Sequence, residues 1–145
     1  MNAPPNASSF AHRLAAATNA HDIDALAACF ADDYLNETPV HPARAFRGVD
    51  QVRRNWTQLF VGMPDLTSRV LATAVDGDTV WSEWEMSGLR PDGTAHLMRG
   101  VIIFGVQGEK AAWARFYLEP VEAASGDVNA AIARATAGPR HDGQP

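Results

Sequence analysis

The stretch Arg99–Pro120, RGVIIFGVQGEKAAWARFYLEP, decides the fold. Two arms rich in Val, Ile and aromatic residues flank the turn-forming tetrapeptide QGEK at 107–110, which is the pattern of a β-hairpin. Side chains alternate between the two faces of a strand. In the second arm this puts Trp113, Arg115, Tyr117 and Glu119 on one face and Ala112, Ala114, Phe116 and Leu118 on the other. In the first arm, extended back to Thr94, His96, Met98, Gly100, Ile102 and Phe104 stand against Leu97, Arg99, Val101 and Ile103. Alternation alone buries the Ala112–Leu118 face and leaves the Trp113–Glu119 face to solvent or to a partner subunit.

Toward the N-terminus the same chemistry repeats. Segments 66–75 and 79–88 are rich in β-branched and aromatic residues, and DGD (76–78) and RPDG (90–93) supply the turns, so 66–119 reads as an antiparallel four-stranded meander. The period changes upstream of residue 65. Phe10, Leu14 and Ala17 mark a short helix, and Asp22 is an N-cap for a second that carries Ile23, Leu26, Cys29 and Phe30 at three- and four-residue spacing. After Gly48, Val49, Val52, Trp56 and Leu59 define a third helix that ends at Gly62 and Pro64. Between the second and third helices the proline-broken DYLNETPVHPARAF (33–46) holds a short strand at about 34–38 and a long loop. Helices first and long strands second imply an α+β domain, a curved sheet wrapped around the helices.

Composition sets the outer bounds. The chain has 145 residues, 46% hydrophobic, with a formal net charge of −5, enough for one packed core. Its 12 basic against 17 acidic residues lack the excess that phosphate neutralisation needs, so nucleic acid is not an expected partner. No apolar run reaches the roughly 18 residues of a membrane helix, and MNAPPNASSFAHRL has neither a basic start nor an apolar signal core; a membrane is not expected and a cytoplasmic location is. The single cysteine, Cys29, lies in the second helix's apolar stripe and reads as a structural thiol. Residues 1–8 and 136–145 look like flexible tails around one domain at 9–120, and the Ala-rich 121–135 is compatible with a helix. There is no GxGxxG, P-loop, GxSxG, CxxC or metal-type His/carboxylate spacing, so neither cofactor nor metal is expected.

The order helix, helix, strand, helix, four long strands resembles the nuclear transport factor 2-like superfamily, and within it the SnoaL-like proteins. HDIDALAACFADDY (21–34), FRGVDQVRRNW (46–56), VWSEWEMSG (80–88) and RGVIIFGVQGEKAAWARFYLEP (99–120) carry the likeness over residues 10–120. The resemblance implies a cone-shaped curved antiparallel sheet around three N-terminal helices, an apolar cavity, a homodimer, and either an enzyme or an inert binder; members include polyketide cyclases, ketosteroid isomerases, scytalone dehydratases and limonene epoxide hydrolases.

Residue by residue, it implies the opposite face of the last strand from the one that alternation buries. Tyr117-x-Glu119 falls on the place of the family's acidic residue, which makes Glu119 the candidate base, with Tyr117 and Arg115 or Arg99 at a developing oxyanion. The alternative is a structural Arg–Glu pair near the rim. The same register puts Arg99, Val101 and Ile103 on the cavity side, and Ser82, Trp84 and Met86 inside the preceding strand. Trp84 and Met86 stand where limonene epoxide hydrolases carry an Arg and an Asp, which argues against epoxide hydrolysis. With Trp56 and Leu59 they would shape a pocket for an apolar or aromatic ligand. The loop NETPVHPAR (36–44) adds Asn36 and His41 near the expected mouth, His41 being either a proton shuttle or a surface group, while Glu37 against Arg44 or Arg47 reads as a loop-ordering ion pair.

The expected activity is therefore cofactor-independent isomerisation, dehydration or aldol-type cyclisation of an apolar carbonyl compound. The alternatives are a non-catalytic small-molecule binder and a dimeric protein-interaction module exposing Trp81 and Trp113.

Overall fold

The computed structural model describes residues 5–124 and 126–138. Helix α1 (Pro5–Asn19) starts inside the segment expected to be a tail, and the tail expectations for 1–4 and 139–145 lie outside the described residues. The cause is apolar periodicity: Ala7, Phe10, Ala11, Leu14, Ala17 and Thr18 form one stripe, all buried. Helix α2 (Ile23–Ala27) is short, capped by Asp22, whose carboxylate accepts from the Ala25 N–H at 3.0 Å. It stops before Phe30, because that residue already opens strand β1 (Phe30–Glu37), earlier than the expected start near 34. After a 3-10 turn at Pro42–Arg44 and the two-residue β2 (Phe46–Arg47) comes α3 (Val49–Gly62).

The meander follows as expected, with β3 (Thr67–Asp76), β4 (Thr79–Leu89), β5 (Ala95–Gln107) and β6 (Lys110–Pro120). A further helix, α4 (Val128–Thr136), forms in the Ala-rich stretch, ends one residue into the segment expected to be a tail and buries none of its residues.

All six strands join one curved, unclosed sheet in the order β2-β1-β6-β5-β4-β3. The sheet is antiparallel except where β1 runs parallel to β6. Helix α1 packs on β3, β4 and β5, and α3 packs on β1. Under α1 the concave face is filled by side chains: Phe10 meets Phe104 with ring centroids 4.8 Å apart, and Trp84, Val80 and Ile102 are fully buried beside them. Under α3 the same face is not filled. Asn19 fastens the rim of the filled half, its amide donating to the Ser68 carbonyl at 2.9 Å while its own oxygen accepts from the Ser68 N–H at 2.7 Å.

Strand register settles which faces are inner. Trp84 pairs with Gly100 and Gly100 with Leu118; Ser82 pairs with Ile102 and Ile102 with Phe116. The inner face therefore holds Ser82, Trp84, Met86, Met98, Ile102, Phe104, Ala114, Phe116 and Leu118. Arg99, Val101 and Ile103 of β5 and Arg115, Tyr117 and Glu119 of β6 lie on the outer face, which corrects their expected placement in the cavity. The reason is desolvation. Turning Arg115 and Glu119 inward would strip water from two charges and expose Phe116 and Leu118, whereas the observed register does neither.

Candidate functional site

Helix α3 spans the unfilled half of the concave face with Val52, Asn55, Trp56 and Leu59, a three- and four-residue spacing that turns one stripe toward the sheet. Beneath it lies a cavity of about 590 Å³. Its sheet wall consists of Met86 from β4, His96 and Met98 from β5, and Phe116 and Leu118 from β6. Strand β1 supplies Phe30, Tyr34 and Asn36, the 3-10 turn adds Arg44, and the chain on either side of it adds Thr38 and Phe46. Met63 and Leu66, in the connection from α3 to β3, complete the apolar floor. Three methionines and five aromatic rings give a lining that adapts its shape and offers polarizable faces to a flat ligand.

Four of the residues singled out in the sequence do line this cavity: Asn36, Trp56, Leu59 and Met86. Trp84 does not. It is 0% exposed in the packed core, its indole N–H donating to the Ser82 hydroxyl at 2.7 Å while that hydroxyl donates to the Ile102 carbonyl at 2.7 Å. None of Glu119, Tyr117, Arg115 or Arg99 reaches the lining, and neither do Val101, Ile103 or His41. Glu119 instead holds His41 at 2.8 Å, so these two candidates meet each other rather than the cavity. Arg115 sits 3.6 Å from Glu37 and over the Trp113 ring at 4.7 Å, which leaves Arg44 and Arg47 out of the expected pair with Glu37. Arg99 donates to Glu85 at 2.7 Å, and that hydrogen bond, with Arg69 adding to it, holds the Glu85 carboxyl below the usual range. Tyr117 is exposed on the same outer face, as is Trp81 at 50%.

The polar groups that do line the cavity were mostly outside the sequence reading. Tyr34 is buried and donates its hydroxyl to Asn36 Oδ1 at 2.7 Å, and burial raises the phenol far above its ordinary pKa, so it acts only as a neutral group. On α3, Gln51 donates to Asn55 Oδ1 at 2.7 Å and accepts from Arg54 at 2.7 Å. His96 Nδ1 lies 3.2 Å from the Arg90 guanidinium. A guanidinium has no acceptor, so Nδ1 is the unprotonated nitrogen and Nε2 carries the proton. Burial first, and the Arg90 charge second, lower the His96 pKa. Among the described residues no Asp or Glu lines the cavity.

His96 thus enters neutral pH as an uncharged hydrogen-bond donor. In an NMR titration its midpoint should fall below the ordinary histidine value, and Arg90→Gln should move it back upward; an unchanged midpoint in that variant would remove Arg90 as a cause. Because the unfolded chain then takes up the proton more readily than the folded one, the stability this group contributes is complete above the ordinary histidine pKa. It is lost as pH falls from there toward the lower folded value.

Residues 11–115 match the family model of the SnoaL-like domain. No curated protein is significantly similar in sequence. Solved structures with the same fold include a SnoaL-like protein of unknown function from Burkholderia thailandensis, 23% identical over 81% of this chain and 95% of that one, with a TM-score of 0.63. A Catenulispora acidiphila protein with a ketosteroid isomerase-like fold, in complex with trimethylamine, is 18% identical over 80% and 87% with a TM-score of 0.62. A Mycobacterium tuberculosis protein in complex with estradiol-17β-hemisuccinate is 19% identical over 77% and 92% with a TM-score of 0.67.

Proposed function

The chain belongs to the SnoaL-like domain family, and from that premise we propose that it binds a small, ring-bearing apolar molecule in the cavity between α3 and the sheet. The observation that carries this is the cavity itself: about 590 Å³, walled by methionine and aromatic side chains with a few converging polar groups. A fully packed concave face would have been the cheaper solution for stability alone, because each unfilled volume forfeits dispersion contacts. Two of the structural relatives hold small molecules, one of them a steroid ester, which is consistent with an occupant of that size in a cavity of this fold.

Titration with 2-acetylnaphthalene, an apolar ring system with one carbonyl, should quench tryptophan fluorescence saturably, with most of the signal lost in Trp56→Phe. Met98→Trp, which places an indole in the space, should abolish saturable binding. The proposal fails if wild-type protein shows no saturable binding, or if Met98→Trp binds as well as wild type.

Cofactor-independent isomerisation, dehydration or cyclisation is the second reading. What supports it is His96, whose Nε2–H can polarise a carbonyl as a neutral imidazole electrophile. Among the described residues the lining holds no carboxylate to take the proton, so binding without turnover is the reading that the chemistry of the cavity favours.

A further inference from the structure

Four of the cavity's polar side chains, its amides and its imidazole, share a pattern that the Tyr34 and Thr38 hydroxyls do not. Asn36 Oδ1 already accepts from Tyr34, Asn55 Oδ1 from Gln51, Gln51 Oε1 from Arg54 and His96 Nδ1 from Arg90. In each case the acceptor atom is engaged by the protein, and what remains to meet a ligand is an N–H: the Asn36 and Asn55 amides and His96 Nε2. A cavity offering donors calls for a ligand offering acceptors.

Arg44 gives that demand a sign. Among the described residues every other arginine has a hydrogen bond, ion pair or electrostatic partner: Arg13 with the Glu109 carbonyl, Arg47 with the Asp33 carbonyl, Arg53 with Asp24, Arg54 with Gln51, Arg69 and Arg99 with Glu85, Arg90 with Thr94, Arg115 with Glu37, and Arg134. Arg44 has none, and it is the only arginine in the lining. It is solvent-exposed, so it stands at the mouth rather than the floor. Its backbone is held by the 3-10 turn, where the Arg44 N–H donates to the His41 carbonyl at 3.0 Å and the Ala45 N–H to the Pro42 carbonyl at 3.2 Å. The carboxylates that flank this region, Glu37 and Glu119, are engaged with Arg115 and His41 instead. A chain of net charge −5 repels anions on average, which makes an unneutralised guanidinium beside an acid-free cavity a local exception.

Resting on the small-molecule reading above, we infer that the ligand is an amphipathic organic anion, an apolar ring body lying against Trp56, Met98 and Phe116 with a carboxylate at the mouth held by Arg44. Guanidinium matches carboxylate in charge and in paired N–H geometry.

Calorimetric titration of wild-type protein with naphthalene-2-acetate and, separately, naphthalene-2-acetamide compares two probes of nearly equal shape. In low-salt buffer the acid should bind roughly tenfold more tightly than the amide, the scale of one charge-assisted hydrogen bond at a half-exposed site. Arg44→Gln should remove the preference by weakening the acid alone, Arg44→Lys should restore part of it, and added salt should shrink it. Since neither substitution removes a side-chain hydrogen bond or ion pair, both variants should melt with wild type. Equal affinity for acid and amide in wild type, or a preference that survives Arg44→Gln, would overturn the anion inference and leave the binding proposal intact. Failure of both probes to bind would overturn both.

Discussion

Gly100→Ala should destabilise the fold by about 3 kcal/mol, read as a fall in the urea midpoint at unchanged slope. Gly100 pairs with Leu118 across β5 and β6. Its φ is +154°, and a Cβ there would lie 2.0 Å from the Tyr117 carbonyl oxygen and 2.9 Å from Leu118 Cα. Both obstacles are backbone, so no rotamer change relieves them. Moving β6 away would break the pairing that carries Phe116 and Leu118 to the inner face. Gly77→Ala is the control: its φ of +60° is also left-handed, yet nothing lies within 4 Å of the added carbon, so the cost should stay near 1 kcal/mol. If the two substitutions cost the same, conformational strain explains both and the close strand approach explains neither.

Trp84→Ala should be at least as damaging, by about 3–5 kcal/mol, because it empties an indole's volume from the packed half of the concave face and leaves the Ser82 hydroxyl without its donor. Trp84→Phe should recover most of the packing and lose only the hydrogen bond and part of the volume. Thermal unfolding measures both. Ligand binding separates this tryptophan from the cavity one: Trp84→Phe should leave the affinity for 2-acetylnaphthalene unchanged, while Trp56→Ala should weaken it with a smaller loss of stability. A Trp84→Ala protein that melts with wild type would show that this half of the sheet is not packed as described.

The contrast between these tryptophans shows where sequence reasoning stops. Trp56 was recognisable as a cavity residue because Val52, Trp56 and Leu59 share one helix stripe and a helix has only one buried side here. The family resemblance puts Trp84 on the inner face, where it lies, but an inner face has a filled half and an empty half, and which half a strand position occupies depends on where α1 and α3 cross the sheet. Nothing local to VWSEWEMSG encodes that.

The last strand teaches the opposite lesson. Its own alternation placed Ala114, Phe116 and Leu118 inward, and the structure does the same; family likeness argued for Glu119 and Tyr117 and led away from the cavity. His96 and Met98 belonged to the face that alternation pairs with Phe116, so the same local signal would have found them. Arg44 had no such signal, since an arginine in the proline-broken loop after β1 has no period to read.

Local chemistry therefore determined most of the architecture. The limits of β3 to β6, the turns between them and the stripes of α1 and α3 follow from residue spacing and turn residues, since these depend on neighbours within a few positions along the chain. The site did not follow in the same way. It required the parallel β1–β6 pairing, which sets Tyr34 and Asn36 facing the same cavity as Phe116, and the span of α3 over the half of the sheet that α1 leaves open. Those are contacts between residues dozens of positions apart. Only the folded chain brings their donors together, engages their acceptors and leaves the Arg44 side chain without a partner among the described residues.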